Sequence, residues 1–274
     1  MSRVALVTGA SRGVGKGIAR ILGDSGWTVY VTGRGPATGD APLATTASEI
    51  TERGGRGHAV ACDHRDDEAI DAVFAQIADE QDGRLDLLVN NVWAGPRGFG
   101  GFDTPFWERP LDDWDSLIGL GLRAHYVASV AAARLMVPRR TGLIVNISSF
   151  GTRGHLHSVL YGISKAGLDK MASDMAADLR DHDVHTVSLW PGIVRTEKIV
   201  ASGMTHIAGF PVADAESPEF IGSVVAALTD DPELAERSGH TFVTAELARD
   251  YDLTDDHGHR PPSHRSVFGG GPLF

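Results

Sequence analysis

Residues Val4–Ala19, VALVTGASRGVGKGIA, decide how this chain is read. A short apolar run, Val4–Val7, has the look of a buried strand, and a helix-like segment follows over Gly15–Leu22. Gly9, Gly13 and Gly15 stand at the junction. Glycine there permits a tight turn and a close backbone approach to a pyrophosphate, while the helix N-terminus offers free N–H groups and positive dipole character. Three spaced glycines alone are weak evidence, and an ordinary glycine-rich strand-to-helix turn is the plain alternative. The rest of the chain decides between them.

Outward from that stretch, short β-branched runs alternate with longer helical patterns. The expected strands are Val4–Val7, Thr28–Thr32, His58–Ala61, Leu85–Asn90, Leu143–Ser148, Val184–Leu189 and Thr241–Val243. Between them lie helix-like segments around Gly15–Leu22, Ala47–Arg53, Asp67–Asp79, Leu111–Met136, Tyr161–Arg180 and Pro218–Ala227. Near-continuous apolar strands suit a parallel sheet covered on both faces. The pattern predicts an α/β fold, a doubly wound parallel sheet of about seven strands with helices on both faces, in a single domain over residues 1–274. Two stretches depart from it. Pro96–Pro110 is rich in glycine and aromatics, and the tail from about Leu253 to Phe274 lacks periodicity and is expected on the surface.

Composition narrows the partners. The 274 residues carry 25 basic and 36 acidic side chains, a net charge of −11, which argues against nucleic acid. The single cysteine, Cys62, sits in the apolar run HAVAC and reads as buried filler in a reducing compartment. No uninterrupted apolar run of membrane length occurs, and the N-terminus enters a strand at once; the expectation is a cytoplasmic protein without a membrane span. His257, His259 and His264 lack metal-ligand spacing, so no metal is expected.

The end of the second expected strand bears on the cofactor. A dinucleotide fold preferring NAD places a carboxylate there for the ribose hydroxyls. Here Gly33 is followed by Arg34, and Arg12 lies inside the glycine loop. Two guanidinium groups suit a 2′-phosphate, so NADP(H) is preferred and NAD(H) remains possible. Solvated surface arginines are the bland alternative, against which the missing carboxylate counts.

The stretch VLYGISKAGLDKM holds Tyr161 and Lys165, twelve residues beyond Ser149, the end of LIVNISS. Residues four apart share one helix face, so a lysine charge can stand beside the phenol. A nearby cation lowers a phenol pKa from near ~10, making Tyr161 a candidate proton donor and acceptor.

Taken together these motifs resemble the short-chain dehydrogenase/reductase family, over roughly residues 1–245, and the resemblance implies its Rossmann-type fold. Thr8–Gly15 looks like the family's cofactor loop, which implies contacts from Gly9, Ser11, Arg12, Gly13, Val14 and Gly15. Asp63 matches the acidic residue at adenine, and NNVWAG resembles an NNAG-type motif with Asn91 at the cofactor and departures at Val92 and Trp93. PGIVRT resembles the segment around the nicotinamide, implying Pro191, Gly192, Val194 and Thr196. LWPGIV, the insertion carrying FWE, and ELARDYDLTD resemble one subgroup of the family more closely.

The resemblance implies a catalytic set of Ser149, Tyr161 and Lys165, with Tyr161 and Lys165 also meeting the cofactor. Tyr161 would exchange the proton while hydride moves between nicotinamide and a carbonyl carbon, Ser149 would donate to the developing alkoxide, and Lys165 would hold the ribose. Ser148 is the rival for Ser149. One position departs: Gly121 stands where the family carries an asparagine in the fourth helix, which weakens the usual proton relay behind Lys165. The family also implies a homodimer or homotetramer.

Trp93, Phe99, Phe102, Phe106 and Trp107 concentrate near the expected substrate end, as pocket lining, core or subunit contact. His155 and His157 precede Tyr161 and read as polar lining or exposed residues. The expected activity is therefore carbonyl/alcohol interconversion on a small-to-medium, largely apolar molecule. A cofactor-binding regulatory or scaffold protein is the alternative, and an epimerase or dehydratase with permanently held nicotinamide ranks last.

Overall fold

A computed structural model describes residues 2–95 and 104–269. Its sheet has seven strands, all parallel: β1 Val4–Val7, β2 Thr28–Gly33, β3 Arg56–Ala61, β4 Leu87–Asn90, β5 Gly142–Ile147, β6 Val184–Trp190, and a last strand Thr241–Val243. They run β3-β2-β1-β4-β5-β6 with Thr241–Val243 at the far edge. The order reverses between β1 and β4, and the mouth of a doubly wound sheet lies at the C-terminal ends of those strands.

The helices include α1 Gly13–Asp24, α2 Pro42–Glu52, α3 Asp67–Glu80, α4 Ala124–Arg139, α5 Val159–Leu179, α6 Glu197–Ala201 and α7 Pro218–Leu228, with shorter ones following. Alternation along β1 sorts them into two layers. Ala5 and Val7 join Ile18 and Leu22 of α1 and Phe220 and Val224 of α7, whereas Val4 and Leu6 face Ile70 and Phe74 of α3 and Ala128 and Ala132 of α4. Each fully buried leucine, isoleucine or phenylalanine contributes about 1.5–3 kcal/mol relative to exposure. Cys62 is buried among them, and burial pushes its thiol up to about 11, in keeping with filler rather than a nucleophile.

The expected helix Leu111–Met136 is not one uniform element. Asp115–Arg123 is π-helical and runs without a break into α4. Gly119 and Gly121 lie in the wide turn, where weak helix formers ease the change of winding. The combined stretch Asp115–Arg139 is long and apolar enough to cross a membrane, with mean hydropathy 1.2. Half of it is buried, on a face that packs into the core and carries His125 and Ser129, while Tyr126 is exposed. Strand β5 ends at Ile147; Ser148 still donates its N–H to Leu189 O of β6 at 2.8 Å, and Ser149 begins the turn beyond it.

The tail also differs from expectation. His257 is exposed, but Asp255 and His264 are buried, because Arg265–Phe268 forms a helical turn that lays Phe268 against Phe150.

Candidate active site

Residue Gly9 turns with φ +67°, and a Cβ there would stand 2.8 Å from Val92 Cα, so the chain tolerates only glycine without displacement. Asn91 locks this turn to β4: its Nδ2 donates to Thr8 O at 2.8 Å and Gly9 O at 3.1 Å. The Thr8 hydroxyl accepts from the N–H groups of Asn91 and Val92 at 2.9 and 3.0 Å. No side chain caps α1 from Arg12; instead Gly13 N–H donates at 2.9 Å to Glu197 Oε2, brought in by α6. That a carboxylate settles at this helix start displays the attraction of its free amides for an anion. Glu197 was not anticipated, since nothing in its own neighbourhood of sequence points to α1.

The cradle therefore fits a dinucleotide. Ser11 lies beside the end of β2, with its Cβ 3.7 Å from where a Gly33 Cβ would be, and Arg12 and Arg34 are exposed around it. Val14 packs on the core from the first turn of α1, and Gly15 is so close to the Asn91 amide that a side chain would collide. Asp63 is engaged by Arg65, whose Nε donates at 3.0 Å; Arg65 first, with Arg34 adding, holds the carboxyl down at about 2. Arg65 is a second residue the motif reading missed, and the charge of Asp63 is already paired.

On the nicotinamide side, Thr196 Cγ2 comes within 3.5 Å of the place a Gly13 Cβ would take, so PGIVRT reaches across to the glycine loop. Val194 pairs with Glu216 as an isolated parallel bridge, and Gly192 N–H donates at 2.9 Å to Glu216 Oε1. Pro191 directly follows β6 and starts this loop.

Tyr161, Ser149 and Lys165 meet beyond the end of β5. Ser149 caps the turn Phe150–Thr152 by accepting Gly151 N–H at 3.1 Å, and a Cβ on Gly151 would lie 2.5 Å from Tyr161 Cε1 and 3.7 Å from Ser149 Oγ, so serine and phenol ring flank the same glycine. The neighbouring Ser148 turns away, donating to Lys165 O at 3.1 Å. Of the two serines, Ser149 is the one set beside Gly151 and the Tyr161 ring.

Here the electrostatics differ from the simple expectation of a lysine depressing a tyrosine. Burial pushes Tyr161 up to about 12, and the opposing pull comes from Ser149. Lys165 Nζ donates to Ile147 O at 2.9 Å and stands 5.8 Å from the Tyr161 ring centroid. Burial draws the lysine down to about 8, with Asp169 working against it. The spacing put the two side chains on one face; it did not reveal that desolvation outweighs their mutual effect.

Gly121 faces Trp93. A Cβ on Gly121 would lie 3.4 Å from Trp93 Cδ1, and the indole meets the Tyr161 ring edge-on at 6.1 Å. Two of the three departures from family pattern, Trp93 and Gly121, thus lie against each other: the missing side chain leaves room for the large one. One turn later His125 is fully buried, with Nε2 bonded to Val92 O at 2.8 Å. A carbonyl accepts, so Nε2 carries the hydrogen and Nδ1 is a bare acceptor without a partner among the described residues. Burial, with Lys165 adding, holds this imidazole down at about 3, hence neutral. A histidine one turn beyond Gly121 in an otherwise apolar helix was the available signal.

Phe99 and Phe102 lie outside the described residues. Phe106 and Trp107 pack edge-on against each other and are exposed. His157 sets its ring edge-on to Tyr161 at 4.7 Å, and it and His155 are both exposed. A cleft of about 400 Å³ runs along Gly13, Lys16, Arg195 and Glu197 beside the cradle; a larger one of about 590 Å³ between α2 and β3 contains none of the three catalytic candidates.

Comparison with known proteins agrees with this geometry. Residues 3–203 match the short chain dehydrogenase family. The chain is 43% identical over 266 residues to dehydrogenase/reductase SDR family member 1 of Mus musculus, covering 93% of this chain and 84% of that protein. It is 32% identical over 244 residues to a 3-oxoacyl-(acyl-carrier-protein) reductase of Synechocystis sp., covering 88% and 94%. A solved metagenomic short-chain oxidoreductase in complex with NADP is similar with TM-score 0.69 at 34% identity, covering 84% of this chain and 91% of that one. The subgroup resemblance read from LWPGIV, FWE and ELARDYDLTD is to the first of these relatives. The chain belongs to the short-chain dehydrogenase family, oxidoreductases that act on CH–OH groups with NAD(P).

Proposed function

We propose that this protein is an NADP(H)-dependent oxidoreductase that interconverts a carbonyl and an alcohol on a small-to-medium, largely apolar molecule. The observation that carries the reading is the meeting of Ser149, Tyr161 and Lys165 beyond β5, next to a cradle that fits a dinucleotide. Arg12 and Arg34, with no carboxylate at the end of β2, support NADP(H) over NAD(H), as does the NADP complex of a relative.

When bound, the nicotinamide supplies or accepts the hydride. Tyr161 gives its phenolic proton to the substrate oxygen in reduction and takes it back in oxidation. Ser149 donates to the same oxygen as negative charge develops. Lys165, buried and bonded to Ile147 O, holds a charge that stabilises the tyrosinate left behind once the proton has moved. Trp93 and His157, both against the Tyr161 ring, form apolar and polar walls for the reacting carbonyl. Pairing of α4 and α5 across a two-fold axis belongs to the same reading, supported by exposed Tyr126 on α4 and Ile163 on α5. So does a cytoplasmic location.

The test is a panel of aromatic aldehydes, cyclic ketones, a 3-oxoacyl thioester and secondary alcohols, followed by nicotinamide absorbance. Tyr161→Phe should lower turnover by about 10²–10⁴-fold while retaining NADPH binding. Equal turnover in mutant and wild type would reject the role of Tyr161. The rival reading, a regulatory or scaffold protein, rests on Gly121; tight NADPH binding with no turnover across the panel would select it.

A further inference from the structure

We propose that Asp169 is a positioning residue for proton transfer: its carboxylate holds the turn that Ser149 caps and keeps a negative charge behind Lys165. The proposal deepens the oxidoreductase reading above and rests on it.

Tyr161, Lys165 and Asp169 follow one another at intervals of four along α5, so the three side chains share one face. Asp169 is 4% exposed. Its Oδ2 accepts the Thr152 hydroxyl at 2.8 Å and the Trp190 indole N–H at 2.9 Å, and its Oδ1 has no hydrogen bond among the described residues. Thr152 closes the turn Phe150–Thr152, and its own N–H donates to Ser149 O at 3.1 Å. Trp190 ends β6 and hands the chain to Pro191. One carboxylate oxygen therefore ties α5 to the serine turn and to the start of the nicotinamide-side loop.

Other polar side chains of the sheet grip the backbone of α5. The Ser148 hydroxyl donates to Lys165 O at 3.1 Å, and Asn146 Nδ2 donates to Leu168 O at 3.3 Å. Asp169 differs from these in carrying a charge. A neutral acceptor would satisfy Thr152 and Trp190 without the desolvation cost of a buried carboxylate. Burial pushes this carboxyl up, and Thr152, Ser148, Ser188 and Trp190 pull it back toward the ionised form. The charge has a use one helical turn away.

That use is Lys165. Burial draws the lysine down to about 8, and Asp169 is the charge that opposes the fall. Lys165 Nζ donates to Ile147 O, so the carboxylate acts through space in an interior of low dielectric. Across from α5, His125 of α4 senses Lys165 but is itself neutral, and on α5 burial keeps Tyr161 protonated. From β5 and β6 come Ser148, Ser188 and Trp190, which carry no charge. Without Asp169 the lysine would lose its proton nearer neutral pH, and the tyrosinate would lack its counter-charge.

The experiment follows the titration of Lys165 by carbon-13 NMR of protein labelled at lysine Cε, in wild type and Asp169→Asn, without cofactor. Lys165→Arg identifies the signal against those of Lys16, Lys170 and Lys198. Asparagine keeps an acceptor for Thr152 and Trp190 and removes only the charge. The Lys165 midpoint should fall by about one pH unit or more, and the alkaline limb of kcat for carbonyl reduction should move with it. Thr152→Val keeps the charge and frees the turn; it should lower kcat about tenfold, leave KM for NADPH and the alkaline limb as in wild type, and be rescued by Thr152→Ser. An unmoved Lys165 midpoint in folded Asp169→Asn overturns the proposal, and so does wild-type kcat in Thr152→Val. If Asp169→Asn does not fold, the two Thr152 variants decide. Wild type that turns over nothing in the panel rejects the oxidoreductase reading instead, and the Lys165 midpoint then decides the proposal alone.

Discussion

The two ends of the cofactor cleft are built by different means. At the pyrophosphate end, Gly9, Gly13 and the α1 amides do the shaping, and Thr8 and Asn91 fasten backbone to backbone. At the nicotinamide end, buried titratable side chains do it: Lys165, Asp169, His125, Glu216 and His264 all sit in the interior. Backbone cradles are insensitive to pH and intolerant of added atoms. Buried ionisable groups tolerate exchange for isosteres but tie the fold to protonation.

The sharpest test of that contrast is pH. Glu216 holds its proton up to about 8 in the folded chain, whereas an unfolded glutamate loses it in the ordinary carboxylate range. Between those limits the folded state binds the extra proton, so stability falls as pH rises, by up to about 1.4 kcal/mol per pH unit from this group. Urea melts of Glu216→Gln should show that slope removed, and an unchanged slope would dissolve the distinction between the two ends.

At the other end, Gly9→Val puts a side chain on a φ of +67° and against Val92. A loss of about 1–3 kcal/mol is expected, with weakened NADPH binding and no new pH dependence. Calorimetric melts at two pH values check both parts. A pH-dependent loss would mean that ionisable groups also support the backbone cradle.

The smallest effect concerns specificity. Arg34→Ala should cost NADPH about tenfold in Kd and leave NADH nearly unchanged, since one charge-assisted contact to a 2′-phosphate is removed. Equal loss for both cofactors would place Arg34 in the general scaffold.

Legibility follows the same division. The glycine loop, Tyr161 and Lys165 stood out because each is marked by local spacing on a turn or helix face, whereas Asn91 came from the family resemblance and acts on Thr8 and Gly9 far away in sequence. The choice of Ser149 over Ser148 became visible in geometry, once β5 ended and the chain turned at Phe150. Glu197, Arg65, His125, Glu216 and His264 were missed because their partners lie far away in sequence or on another element. The tail is the clearest case: without periodicity it read as surface, yet its aromatic and imidazole rings fill a space framed by Phe150 and Phe210.

The sequence by itself determined the alternating layers, the seven-stranded parallel sheet, the family and the candidates for proton transfer, because those are written in periodicity and in short motifs. Only the tertiary structure decided the electrostatics. Burial and not Lys165 dominates Tyr161, Gly121 makes room for Trp93, and Glu216 and His264 each close on Gly192. Desolvation and packing depend on what surrounds a side chain from every direction, and that is a property of the folded whole.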